Sequence, residues 1–401
     1  MAGTLSLGMV LFGCAGQGNQ KTPAEGTQVN DLASKAQDLE KRDKEISSLL
    51  CYQSSMETEY AKRFAVNYYE GGYVLLTVCD GSRFLVIPEN GAPPEDLAED
   101  IAVIKRPAEN FYLAASAVMD MFRELDALDV LRFSGKKAQD WYIEEAKEAM
   151  ENGSLLYAGK YNMPDYERIV SEGCSLAIEN TMIGHTPDVA EKLESFGIPV
   201  LIDYSSYETH PLGRVEWIKF YGALTGREEK AEEAFQKQAA ILERVAEEKE
   251  SGKTVAFFYL TTNGAVNVRK SSDYIPKMIA LAGGKYIFGN LGTKEDNKTS
   301  INMQMEEFYA AARDADYLIY NSTIDGGIAS VEELLEKSEV LKDFKAVKEG
   351  NVWCTTSDFY QQSMAVGAFV EDIYNMLSGD GGMQKMTYLY RPEQMTAEDM
   401  K

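Results

Sequence analysis

The sequence predicts an α/β fold of two lobes joined by a single long α-helix. Three observations predict it. Short apolar runs alternate with helical stretches on either side of residues 227–249. That segment itself reads as one amphipathic helix near the midpoint of the folded part. The halves flanking it also follow the same order of elements. The chain divides accordingly into a leader (1–14), a tether with a loose helix (15–60), a first lobe (61–226), a connecting helix (227–250) and a second lobe (251–401).

The first lobe opens on two strands, Tyr73-Val-Leu-Leu-Thr-Val-Cys79 and Phe84-Leu-Val-Ile87, with Asp80-Gly81 as the turn between them. Helical periodicity follows over 111–125 and 137–151. Apolar runs at 176–178 and 199–202 read as strands, with a helix over 187–196 closed by Gly197. In the connector, Ala231, Ala234, Phe235, Gln238, Ile241, Leu242 and Val245 form an i, i+3, i+4 stripe, with Gln238 its one polar member. Residues 227–249 would span roughly 34 Å as a helix, about one domain diameter. The pattern then restarts with strands at 255–259, 317–320 and 352–354 and helices over 273–281, 306–312 and 359–377. Asn162-Met163, a helix with Glu167, a strand and Asn180-Thr181-Met182 are matched by Asn302-Met303, a helix with Glu306 and Glu307, a strand and Asn321-Ser322-Thr323-Ile324.

A length of 401 residues exceeds what one core fills, and 45% hydrophobic residues with 23 Tyr, 16 Phe and 3 Trp supply real cores. With 64 acidic against 40 basic residues the net charge is −24, which repels phosphate backbones and excludes nucleic acid as a partner. No apolar run is long enough to span a bilayer. The run at residues 5–12 has the length of a signal-peptide core. It ends in Leu11-Phe12-Gly13-Cys14, which resembles the lipobox of bacterial lipoproteins, in which the Cys is lipidated; it departs in lacking a preceding basic residue and in the bulk of Phe12. The resemblance implies a lipid anchor at Cys14. The polar stretch behind it suits a tether. Cys51, Cys79, Cys174 and Cys354 form no C-x-x-C pair, which argues against a zinc or redox motif; Cys79 and Cys354, in apolar strand-like runs, read as buried free thiols, and the connectivity of any disulfide is left open.

Enzyme signatures are missing. There is no G-x-S-x-G elbow, no phosphate-binding G-x-x-x-x-G-K-S/T loop and no H-E-x-x-H. The only histidines sit in turn or capping contexts, His185 in the order His-Thr-Pro-Asp and His210 directly before Pro211. Each follows a strand end on the first lobe, which also keeps both as ligand contacts. These facts point to a binder with no catalytic residues and no cofactor.

Four stretches carry a resemblance to a known family: Gly159-Lys-Tyr-Asn-Met-Pro-Asp-Tyr-Glu167, Ile198-Pro-Val-Leu-Ile-Asp203, Ser205-Ser-Tyr-Glu-Thr-His-Pro-Leu-Gly-Arg214 with Glu216-Trp-Ile-Lys219, and Asp314-Ala-Asp-Tyr-Leu-Ile-Tyr320. Over residues 64–380 the chain resembles the class III substrate-binding proteins of importers for ferric siderophores, haem and cobalamin. The resemblance implies two Rossmann-like lobes joined by one long helix, with ligand in the cleft between them. It also implies an ABC permease with its ATPase as partner, and a monomer held at the outer face of the bacterial plasma membrane. One Glu per lobe docks on the permease in that family; the matching positions are Glu167 and Glu306, with Glu307 also open.

Cleft residues are expected in loops at the carboxyl ends of strands. The expected contacts are Arg106, Lys160, Tyr161, Thr181 and Tyr207 on the first lobe, and Arg269 and Tyr360 on the second. Aromatic faces bury a flat ligand and basic groups neutralise an anionic one, so a ferric siderophore leads, with haem and cobalamin as alternatives. A surface adhesin or binding lipoprotein outside transport, and a metal-dependent hydrolase that has lost its obvious signatures, are further alternatives. Whether any residue touches a metal is left open.

Overall fold

The computed structural model describes residues 43–248, 250–292, 299–379 and 386–392. Cys14 and the leader lie outside the described residues. The fold is mixed α/β; among the described residues it has three large sheets and one two-stranded ribbon, Gly159–Lys160 with Met163–Pro164.

The first sheet runs Tyr52–Ser55, Phe64–Tyr69, Tyr73–Val78, Arg83–Ile87 and Ile101–Lys105 in chain order, antiparallel except for the last pair. It contains the expected hairpin, turning through Gly81 at φ +98°. Both faces are covered. Val74, Leu76, Val78, Phe84 and Val86 pack into the main core, while Leu75, Leu85 and Ile87 pack with Ile46. Asp43 is buried, accepting from Thr77 Oγ1 and Arg83 Nη1 at 3.0 Å each. The tether expected to run to residue 60 is therefore corrected. From Asp43 onward the chain is part of the folded body, because residues 43–50 cover an otherwise bare apolar sheet face.

The second sheet is all parallel, in the order Val200–Asp203, Leu176–Asn180, Phe111–Leu113, Leu131–Ser134, Leu156–Tyr157. The helix expected over 111–125 is a strand followed by the helix Val118–Glu124. Phe111, Tyr112 and Leu113 are buried on both faces, and a run buried all round carries no period that separates strand from helix. Similarly, only Glu144–Glu151 of the 137–151 segment is α-helical.

The third sheet runs Ser300–Met303, Val266–Arg269, Thr254–Leu260, Tyr317–Tyr320, Val352–Thr355, Leu389–Tyr390. Its centre is parallel and its outer strands Val266–Arg269, Ser300–Met303 and Leu389–Tyr390 are antiparallel.

Two consecutive helices join the sheets. Pro211–Thr225 is buried on nearly every side and ends at Gly226 in the left-handed conformation, φ +75°. Glu228–Ala246 follows at once, burying Ala231, Phe235, Ala239, Leu242 and Val245. It packs on Pro211–Thr225 and on the last helix, Val366–Ser378. One apolar cluster accordingly runs from Phe64, Trp217 and Phe220 through Phe235 and Leu242 to Phe369 and Ile373. The last helix starts seven residues later than expected. The segment before it makes a short 3₁₀ turn, Phe359–Gln361, and then a loop.

Candidate ligand-binding cleft

The parallel sheet fixes where a ligand fits. From its central strand Phe111–Leu113 the chain steps outward to Leu131–Ser134 and Leu156–Tyr157, then returns to the opposite side for Leu176–Asn180. Strand order thus reverses between Phe111–Leu113 and Leu176–Asn180, and a crevice opens beyond the carboxyl ends of such a pair. Ala114 and Asn180, which follow or end those strands, line a cavity of about 620 Å³ with Lys136, Lys137, Lys160, Tyr161 and Tyr360. A second cavity of about 510 Å³ is walled by Thr181, Tyr207 and Arg214 from the first lobe and by Arg269, Tyr274 and again Tyr360 from the second. The two adjoin at Tyr360.

Of the seven residues expected in the cleft, the structure places Lys160, Tyr161, Thr181, Tyr207, Arg269 and Tyr360 on these walls. Arg106 is the correction. Its Nη2 donates to the Ala223 carbonyl at 2.6 Å and lies 3.7 Å from Glu228, so it ties the joint between the two connecting helices rather than facing ligand. Reading positions by strand end failed there because Ile101–Lys105 belongs to the first sheet, not to the parallel one.

Sequence reasoning missed Lys136, Lys137, Tyr142, Tyr157, Arg214 and Tyr274. The first two follow Leu131–Ser134, a strand that lay unassigned between two expected helices. Assigning that strand would have pointed to Gly135-Lys136-Lys137 as a cleft loop.

The electrostatics of the cleft differ from those of the chain. Lys136, Lys137, Lys160, Arg214 and Arg269 face it, against Asp140 and Asp273. Asp273 is buried and its carboxyl sits above the ordinary range because burial penalises its charge; Arg269 at 3.7 Å opposes that shift. Basic and aromatic groups pair along the walls. Arg214 stacks on Tyr274 at 3.8 Å, Lys137 lies 5.7 Å from the Tyr157 ring centre, and Lys136 lies 5.4 Å from that of Tyr360.

The histidines do not take part in the cleft. His210 caps the helix Pro211–Thr225 by accepting from Leu212 N at 3.2 Å and stacks on Tyr60 at 4.5 Å. His185 closes a 3₁₀ turn and lines neither cavity. Among the described residues no group of three His, Cys, Asp or Glu is arranged to hold a metal ion. Several residues of the motifs quoted above are structural. Glu216 accepts three backbone N–H bonds from residues 59–61 at 2.7–2.9 Å, and Glu208 accepts from Lys62 N, Arg63 N and Trp217 Nε1.

The paired acidic helices are in register. Tyr166–Ser171 buries Ile169, three residues after Tyr166, and Met305–Ala312 buries Phe308, three residues after Met305. Glu167 and Glu306 are each second in their helix and exposed, so Glu306 rather than Glu307 is the structural counterpart of Glu167.

Two α/β lobes meet around a polar crevice and pack against the two connecting helices. The chain belongs to the periplasmic binding protein family, which matches it over residues 115–359. An uncharacterized lipoprotein of Methanocaldococcus jannaschii, MJ0878, is 26% identical over 337 residues, covering 80% of this chain and 79% of the relative. Among solved structures, the periplasmic haem-binding protein HutB of Vibrio cholerae superposes with a TM-score of 0.54 at 18% identity, covering 66% of this chain and 98% of that one. A protein of the Fe³⁺-hydroxamate transport system of Saccharomonospora viridis gives 0.52 at 18% identity, covering 67% and 93%. At such identities these likenesses establish the fold.

Proposed function

We propose that this protein captures an anionic metal complex, a ferric siderophore first of all, between its lobes and delivers it to an ABC permease. On this reading it works outside the cytoplasm as a monomer, held to the membrane by a lipid on Cys14, with Glu167 and Glu306 meeting the permease and no cofactor of its own. The carrying observation is the charge reversal at the cleft. In a chain of net charge −24, five basic side chains against two carboxylates line cavities walled by Tyr142, Tyr157, Tyr161, Tyr207, Tyr274 and Tyr360. Basic groups offset the ligand's charge and phenol faces bury its rings. The iron, hydroxamate and haem named for the structural neighbours belong to the same ligand range. Haem is the second reading, favoured by the aromatic walls and the likeness to HutB.

The test is native mass spectrometry with absorption titration against a ferric tris-catecholate, a cationic ferric hydroxamate, haem and cyanocobalamin. A one-to-one complex with the tris-catecholate or haem, tighter than with the cationic hydroxamate, is expected. Preference for the cationic complex, or no binding of any, would overturn the reading.

A further inference from the structure

The Tyr360 phenol oxygen lies 2.8 Å from Gln361 Nε2 and 3.3 Å from Lys136 Nζ. The orientation of the Gln361 amide is not free. Its Oε1 accepts from the backbone N–H of Tyr142 at 2.9 Å, and a backbone N–H can only donate. Its Nε2 donates to the Asp140 carbonyl at 2.8 Å, and a carbonyl can only accept. Gln361 is itself fully buried, so this pairing is held inside the protein. One amide hydrogen goes to Asp140, and the other must go to Tyr360. The Lys136 ammonium has no lone pair and also donates. The phenol oxygen therefore receives two N–H donors, and its own proton finds no acceptor in either. Tyr360 is 38% exposed and stands on the wall shared by both cavities, so that proton is left for whatever occupies the cleft.

We infer that Gln361 is a positioning residue that makes Tyr360 a hydrogen-bond donor to an anionic oxygen of the ligand, with Lys136 supplying charge beside it. The inference deepens the proposed function and rests on the cleft being the ligand site. It names the chemistry the ligand presents at the centre of the cleft: a catecholate, hydroxamate or carboxylate oxygen. The three groups come from both sides of the cleft. Lys136 and the Asp140–Tyr142 loop belong to the first lobe, while Tyr360 and Gln361 follow Val352–Thr355 in the second. The donor is thus set only where the lobes meet.

Two measurements on the full chain test this, using Y360F, Q361L, Q361E and the double variant Y360F/Q361L. The first needs no ligand. The tyrosine doublet in ultraviolet resonance Raman spectra reports whether a phenol oxygen accepts or donates. The Tyr360 contribution, obtained by subtracting the Y360F spectrum, should show acceptor character that falls in Q361L. An unchanged doublet would overturn the inference, whatever binds in the cleft. The second is titration with ferric tris(2,3-dihydroxybenzoate). Q361L should weaken it about tenfold in the Tyr360 protein and less than about twofold in the Y360F background. Q361E, which keeps the acceptor for Tyr142 but replaces the donor, should lose as much as Q361L. Equal losses by Q361L in both backgrounds would show that Gln361 only holds the lobes together, and would overturn the inference. Failure of the wild-type chain to bind this probe, with the Raman change present, would count against the proposed ligand and leave the positioning role standing.

Discussion

Glu179 is fully buried on the parallel sheet, and neither carboxylate oxygen has a hydrogen-bond partner among the described residues. Burial pushes its pKa up from 4.5 to about 8. The folded chain thus holds a proton that the unfolded chain has released between those two values. The stability linked to it is fully present below about pH 4.5 and is lost as pH rises through about 8. Glu179→Gln removes the titration and keeps the shape. Its unfolding free energy from urea titration, compared with wild type, should gain most above pH 8, by about 3–5 kcal/mol, and little at pH 5. A difference independent of pH would refute this. In the cleft, Arg269→Ala should weaken a ferric tris-catecholate by about 1.5–3 kcal/mol, the worth of a charge-assisted contact, as read by titration. Because Arg269 also faces the buried Asp273, the same variant should lower the melting temperature.

At the scale of elements, the connecting helix explains its own anomaly. Gln238, the polar member of the apolar stripe, accepts the backbone N–H of Gly367 at 2.9 Å and so satisfies a donor in the first turn of Val366–Ser378. The approach is close. A Cβ on Gly367 would stand 2.7 Å from Gln238 Oε1 and 3.1 Å from Ile241, so no larger residue fits without a shift. Gln238→Leu leaves that N–H without its acceptor and should cost about 1–2 kcal/mol by urea denaturation. The loop before Val366–Ser378 is held to the first lobe at two further points. Asp120, buried and paired with Arg123, accepts from Met364 N at 2.8 Å, and Ser363 Oγ donates to the Ala117 carbonyl at 2.6 Å.

For the whole molecule, one continuous core from Phe64 to Ile373 spans both lobes and the helices between them. Under the proposed function, the two exposed glutamates in matched positions are the docking points on the permease. Charge reversal of Glu167 and Glu306 to Arg should leave ligand affinity unchanged in titration and impair uptake in cells, since rim charges act mainly on association. Normal transport by the double variant would remove both from docking. Labelling with a clickable fatty acid should mark the wild type and spare Cys14→Ala; equal labelling of both would refute the anchor.

Residues whose neighbours lie close in sequence were legible from the chain alone. The stripe of Glu228–Ala246, the hairpin of Tyr73–Val78 and Arg83–Ile87, and the strands Leu176–Asn180 and Tyr317–Tyr320 each carry their own period or turn chemistry. Pro211–Thr225 did not, because a helix buried on all sides has no polar face to mark its period. Lys160, Tyr161, Thr181, Tyr207, Arg269 and Tyr360 could be picked as loop residues following strands, because α/β topology puts such loops at the ligand edge. Arg106 met the same rule and failed it, since only the pairing of its strand tells which sheet it leaves. The sequence by itself determined the α/β class, the helical connector and the chemical character of the cleft loops. Tertiary structure alone decided which loops face one another, that Gln361 reaches Asp140 and Tyr142 across more than 200 residues, and hence where the Tyr360 proton points, because hydrogen-bond direction depends on distance in space and not along the chain.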